Sequence, residues 1–225
     1  MAAISLRRRA TMKFYYHPIS SYCQKVLVAL YEKGIEFDSH IVALMDPEQR
    51  AQFREVYPMG KVPLLVVDDD HLIPESSIII EYLDDIAEPR LIFGDAEQRR
   101  KIRFKDRMFD LYLNDSVSTL LFQSMKPASE RDQERIDTSK FRIDTMYGFM
   151  EHEFGEQPYA NGEEFSMADC AATPALYYAQ RTAPFDSYAN IRAYWDRLAS
   201  RPSIRRVISE AEPHVKAFMK EDAAA

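Results

Sequence analysis

The chain has 225 residues, 46% hydrophobic and 29% charged, the balance of a soluble globular protein with apolar side chains enough for a core. A net charge of −7 and a pI near 5.3 weigh against nucleic acid or an anionic membrane as a partner, and no apolar run reaches the length of a membrane span. Two cysteines, Cys23 and Cys170, show no framework spacing, which predicts a reducing, cytoplasmic setting in which both are small buried side chains. The five histidines form no i, i+4 pair and no Cys/His cluster, so no metal site is expected.

In chain order, the opening MAAISLRRRATM carries three arginines with no apolar stretch behind them. It reads as a disordered extension, or an early start codon, ahead of Met12 rather than a targeting signal. A strand is predicted over residues 13–16, a turn at His17-Pro18-Ile19, and then a helix with Val26, Leu27, Ala29 and Leu30 at helical spacing and Gly34 at its stop. Residues 37–44 read as a second strand, 47–56 as a short charged helix, and 62–67 as a third strand. Asp68-Asp69-Asp70 turns the chain into a short fourth strand around Leu72 and Ile73, and Pro74-Glu75-Ser76 opens a helix that ends near Pro89. The third and fourth strands must form a hairpin, so this half is a small mixed sheet with helices on its faces.

Residues 89–95 lack any period and read as a linker, which divides the chain into units over 12–88 and 96–220. Beyond the linker no strand signal recurs. Amphipathic helices are predicted over 99–117 and 130–154. Another starts at Ser166, with Asp169 three residues on, and two more follow around 191–199 and 202–218. The second unit is all-α.

Ser20-Ser21-Tyr22-Cys23 stands at the first strand-to-helix junction, where a thiol–disulfide exchange enzyme would carry Cys-x-x-Cys. Its first cysteine is serine here. A helix N-terminus stabilises an anion, and a hydroxyl there can donate to another molecule's thiolate but cannot exchange disulfides. Four segments then occur in order: Phe14-Tyr15-Tyr16-x-Pro18-x-Ser20-Ser21-x-Cys23, Pro58-Met59-Gly60-Lys61-Val62-Pro63, Glu75-Ser76 and Ser166-x-x-Asp169. Together they resemble the cytosolic glutathione transferases, the first segment being similar to the serine-type site of the delta class. The resemblance covers residues from Met12 to about Phe218 and implies an α/β thioredoxin-like N-terminal domain followed by an all-α C-terminal domain.

The resemblance implies glutathione as co-substrate, a small hydrophobic electrophile as second substrate, and a homodimer. Ser20 is the expected catalytic residue, with Ser21 and Tyr16 as alternatives. Val62 and Pro63, a cis pair in the family, are expected to meet the cysteinyl backbone of glutathione, Glu75 and Ser76 its γ-glutamyl end, and Lys61 its glycyl carboxylate. Phe109, Tyr112 and Leu113, with Phe122 and Met125, are the expected electrophile pocket. Arg103, Arg107 and Asp110 are expected to reach across a two-fold axis. Two departures matter: Ser77 stands where the delta class has arginine, and Gly60 where it has histidine. Gln49, Arg50 or Arg107 are then expected to supply the missing carboxylate contacts. Disulfide reduction using glutathione, or a non-catalytic interaction module, are the alternative activities.

Overall fold

The computed structural model describes residues 12–43, 45–68, 71–155 and 157–222, so the arginine-rich opening lies outside the described residues. Strand β1 (Lys13–Tyr16), helix α1 (Ser21–Glu32), strand β2 (Asp38–Ile41), helix α2 (Pro47–Val56), strands β3 (Leu64–Asp68) and β4 (His71–Pro74) and helix α3 (Ser76–Ile86) make the first unit. The sheet order is β2-β1-β3-β4, with β1 parallel to β2 and the pairs β1/β3 and β3/β4 antiparallel. The period-2 alternation of β1 separates its faces: Phe14 and Tyr16 join the main core, while Tyr15 packs beside Phe53 of α2 on the other side. β2 is shorter than residues 37–44 because only 38–41 find ladder partners on β1. Phe37 instead turns its ring edge-on to Phe14.

The second unit holds α4 (Ala96–Met108), a π-helical turn (Phe109–Asn114), α5 (Asp115–Ser124), a 3₁₀ turn (Ala128–Glu130), α6 (Gln133–Phe154), α7 (Met167–Thr182), α8 (Ala189–Ala199) and α9 (Pro202–Asp222). One continuous core runs through both units, joining Leu27 and Ile79 to Phe109, Met150 and Leu176. Helix α1 packs against α3, α7 and α9, which makes it the shared wall of the two units.

The connection between them is pinned. Asp84 accepts from the backbone N–H groups of Leu91 and Ile92, each at 2.8 Å, and its carboxylate lies 2.7 Å from Lys33 Nζ. Lys33 also donates to the carbonyls of Ala87 and Pro89. Asp169, fully buried near the start of α7, takes four donors at 2.7–2.8 Å: the N–H groups of Ser166 and Ala160 and the hydroxyls of Ser166 and Tyr194. A buried carboxylate is tolerated only with such partners.

Candidate active site

The turn between β1 and α1 delivers the first group. Ser20 occupies the N-cap of α1 with extended backbone (φ −73°, ψ 119°), and its carbonyl accepts the first helical bond from Gln24 N–H at 2.9 Å. Its hydroxyl makes no capping bond, the role in which an N-cap serine is usually spent. Beneath it, burial pushes the Cys23 thiol up to about 12, while hydrogen bonds from the Ser20 hydroxyl and the His17 backbone act the other way. A buried thiol held protonated is a packing group, not a nucleophile. Ser21 is the first helical residue, with a half-buried side chain. Tyr16 lies in the core, stacked on Phe14, with its hydroxyl 3.1 Å from that of Ser39 on β2.

Two residues that the sequence reading passed over hold this turn from behind. Tyr178 of α7 donates its hydroxyl to the Ile19 carbonyl at 2.7 Å, and Gln24 donates to the Pro18 carbonyl at 2.8 Å and to Tyr178 at 3.1 Å. All of these atoms are buried or nearly so. His214 of α9 also meets His17 edge-on, and burial and that neighbour lower His17 below the usual imidazole range.

The second group lies at the same end of the sheet, since β3 runs antiparallel to β1 with Leu64 beside Tyr15, and β4 ends with Pro74 beside Leu64. Val62–Pro63 is a cis peptide, and among the described residues the Val62 backbone N–H and C=O take no partner. Lys61 is exposed at the same loop. Glu75 is the one non-glycine residue with positive φ among the described residues, at φ 72°. Such a conformation costs of order 1–3 kcal/mol and is typical of functional sites. It puts Ser76 at the start of α3, nearly buried, its hydroxyl without a partner among the described residues. Gln49 is occupied by Asp46 and Ala43.

Behind Ser76 sits a charged network that ties three helices. Lys25 of α1, with 0% exposure, lies 2.6 Å from Asp106 and 2.7 Å from Asp110, and donates to Ser77 at 2.8 Å. Ser77 in turn donates to Asp106 at 2.8 Å. Arg107, half exposed, bonds Ser77, Asp106 and Asp110 from the solvent side. The guanidinium missing after Ser76 in sequence is therefore present in space, brought by α4. Arg103 pairs with Glu81 of α3 at 2.7 Å, so Arg103, Arg107 and Asp110 all have partners within their own chain.

The expected electrophile wall needs correcting. Phe109 and Leu113 have 0% exposure and face the core, which leaves them no surface for a ligand, whereas Tyr112 is 52% exposed. The cause is the π-helical turn: its wider i→i+5 winding swings Tyr112 off the face that Phe109 and Leu113 share. Next along, Asp115 accepts from the Tyr22 hydroxyl at 2.8 Å, joining the start of α5 to the start of α1. From Asp115 a cleft of about 590 Å³ opens between α5 and α6 and includes Phe122.

Residues 19–86 match the family described as glutathione S-transferase, N-terminal domain, and residues 113–202 the glutathione S-transferase C-terminal domain. The stringent starvation protein A homolog of Haemophilus influenzae is 30% identical over 92% of this chain and 94% of its own. The chain belongs to the cytosolic glutathione transferase family. A second relative, glutathione S-transferase GstB of Escherichia coli, is 26% identical over 84% of this chain and 93% of its own. Among solved structures, a glutathione S-transferase from Methylobacillus flagellatus with glutathione bound superposes with a TM-score of 0.80 at 26% identity, over 88% of this chain and 98% of that one. The family fold, a thioredoxin-like domain with a four-stranded mixed sheet followed by a helical domain, is the architecture described above. Among the described residues there is no cluster of three or more His, Cys, Asp or Glu able to hold a metal, and no helix long and apolar enough to cross a membrane.

Proposed function

We propose that the chain is a glutathione transferase of the serine type, in which the Ser20 hydroxyl donates to the glutathione thiolate. The observation that carries this is the Ser20 hydroxyl itself, placed at the positive end of α1 yet bound to no helical N–H. The hydroxyl hydrogen rotates about the Cβ–Oγ bond, so it can leave the Cys23 sulfur for a ligand's. Lowering a thiol pKa by about two units takes roughly 2.7 kcal/mol, within reach of a hydrogen bond to the anion plus a helix dipole. Val62 pairs with the cysteinyl backbone like an added strand edge. Glu75, Ser76 and Arg107 take the charged γ-glutamyl end, and Lys61 the glycyl carboxylate. The thiolate then adds to a small electrophile with an apolar body. The chain works in the cytoplasm as a homodimer, for which the exposed Ile78, Phe104 and Leu111 of α3, α4 and the π turn supply an apolar face.

A second reading is a non-catalytic interaction module, since the relative at 30% identity, a stringent starvation protein A homolog, is not named as a transferase. Titration calorimetry separates the two. The transferase reading expects glutathione binding that Ser76→Ala weakens at least about tenfold, the loss of one charge-assisted hydrogen bond. If wild type shows no binding at about millimolar glutathione, the fold is serving as a scaffold instead.

A further inference from the structure

The cleft that opens at Asp115 has a lining unlike an ordinary apolar pocket. Three cations border it, Lys126 just past the end of α5 and Arg135 and Arg142 on α6, against the single carboxylate of Asp115. Asp115 is already committed to the Tyr22 hydroxyl at 2.8 Å. None of the three cations makes an ion pair or a side-chain hydrogen bond among the described residues, in a chain whose net charge is −7. Lysine and arginine carry donors and no acceptor.

Gln123 adds a built element. It borders the cleft while only 4% exposed, and its Oε1 accepts from the backbone N–H of Asp132 at 2.9 Å. A backbone N–H only donates, so that bond fixes which end of the amide is oxygen. The NH₂ end is left with no partner among the described residues. Beside it, Phe122 stands 58% exposed on the same face of α5, an apolar plate next to a set of donors. The volume, about 590 Å³, suits a molecule of one or two rings.

We propose that this cleft is the acceptor subsite of the transferase and that it selects electrophiles carrying a carboxylate or sulfonate on an aromatic body. Phe122 takes the ring, Gln123, Arg135 and Arg142 take the anionic group, and the end at Asp115 and Tyr22 faces the start of α1. The inference rests on the transferase reading for its chemistry. In the test reaction the glutathione sulfur bonds to an aromatic carbon, chloride leaves with the carbon–chlorine electron pair, and the thiol proton passes to solvent, so no oxidant or reductant is needed. Surface cations also steer an anionic substrate, an effect that salt screens.

The test compares chlorodinitrobenzene with the matching chlorodinitrobenzoate, using the full chain and saturating glutathione. Wild type should prefer the benzoate in kcat/KM, through KM, and added salt should shrink that preference. The double variant Arg135→Gln/Arg142→Gln should lower the benzoate-to-benzene ratio about fivefold or more, two exposed charge contacts together, while the distant Arg205→Gln leaves the ratio as in wild type. Binding of anilinonaphthalene sulfonate, read by fluorescence without glutathione, gives a measure independent of turnover and should weaken in the double variant and in Gln123→Ala. An unchanged ratio together with unchanged sulfonate binding overturns the proposal and leaves the transferase reading standing. Sulfonate binding that depends on the two arginines, with no turnover of either electrophile, keeps the anion site but overturns its assignment as an acceptor subsite and the transferase reading with it.

Discussion

Lys25 holds the two halves of the site together, and replacing it with methionine isolates that role. Methionine keeps about the length of the stem and removes the ammonium, with its charge and its donors to Ser77 and the carboxylates. Asp106 and Asp110, 1% and 3% exposed, would then share a single counter-charge, the half-exposed Arg107. Breaking a buried ion pair from one side costs about 3–5 kcal/mol, because a buried charge is left uncompensated. Arg107 still bonds both carboxylates, so the lower end, about 3 kcal/mol, is the expected loss. At the urea slope usual for small proteins, of order 1–3 kcal/mol per molar and rising with chain length, that is a drop of about 1 M or more in the unfolding midpoint. Burial raises the Asp110 carboxyl above its usual range, with Lys25 the first force opposing it. Without Lys25 the deficit should be greatest at neutral pH and shrink as the pH falls and the carboxylates take up protons. Adding Asp106→Asn and Asp110→Asn to the variant removes the orphaned charges and should recover much of the loss. A single variant losing less than about 1 kcal/mol, or a triple variant no better than the single, would show that the two carboxylates do not depend on Lys25.

Cys23→Ala should keep turnover while lowering the melting temperature by a few degrees, as loss of a small buried side chain does; lost activity with normal stability would point back to a thiol mechanism. Tyr178→Phe removes the donor to the Ile19 carbonyl, and the bound thiol should then titrate at higher pH with glutathione affinity little changed; an unmoved titration would mean that the turn stands without it. Glu32 joins α1 to the start of α9 through Arg201, at 2.6 and 2.9 Å, and through Ser203. Burial raises its carboxyl, but the Arg201 and Ser203 bonds outweigh this and leave it lowered. A lowered folded value means that the contribution is present above the ordinary carboxylate range and lost as pH falls through the folded value. Melting curves of wild type and Glu32→Gln should therefore differ at neutral pH and converge in acid.

The strands and helices of the first unit were legible because each is written locally: period 2 in Lys13–Tyr16, period 3.6 from Val26 to Leu30, glycine at the stop. Glu75-Ser76 was legible as a motif, but not its positive φ, which the surrounding fold imposes. Lys25 was passed over, since a lysine beside Val26 carries no local sign that its two carboxylates stand more than eighty residues away. The same holds for Gln24 and Tyr178, which are 154 residues apart. The π-helical turn was hidden for a different reason. Phe109, Tyr112 and Leu113 read as one face at α-helical spacing, and only the wider winding separates Tyr112 from the others.

In the proposed mechanism the Ser20 hydroxyl lowers the pKa of bound glutathione. The thiolate absorbance of the glutathione complex, titrated against pH in wild type, Ser20→Ala and Tyr16→Phe, tests it most directly. Ser20→Ala should move the midpoint up by about two units, near the value for the free thiol, while Tyr16→Phe titrates as wild type. An unmoved midpoint in Ser20→Ala, with a raised one in Tyr16→Phe, would contradict it and give the role to Tyr16.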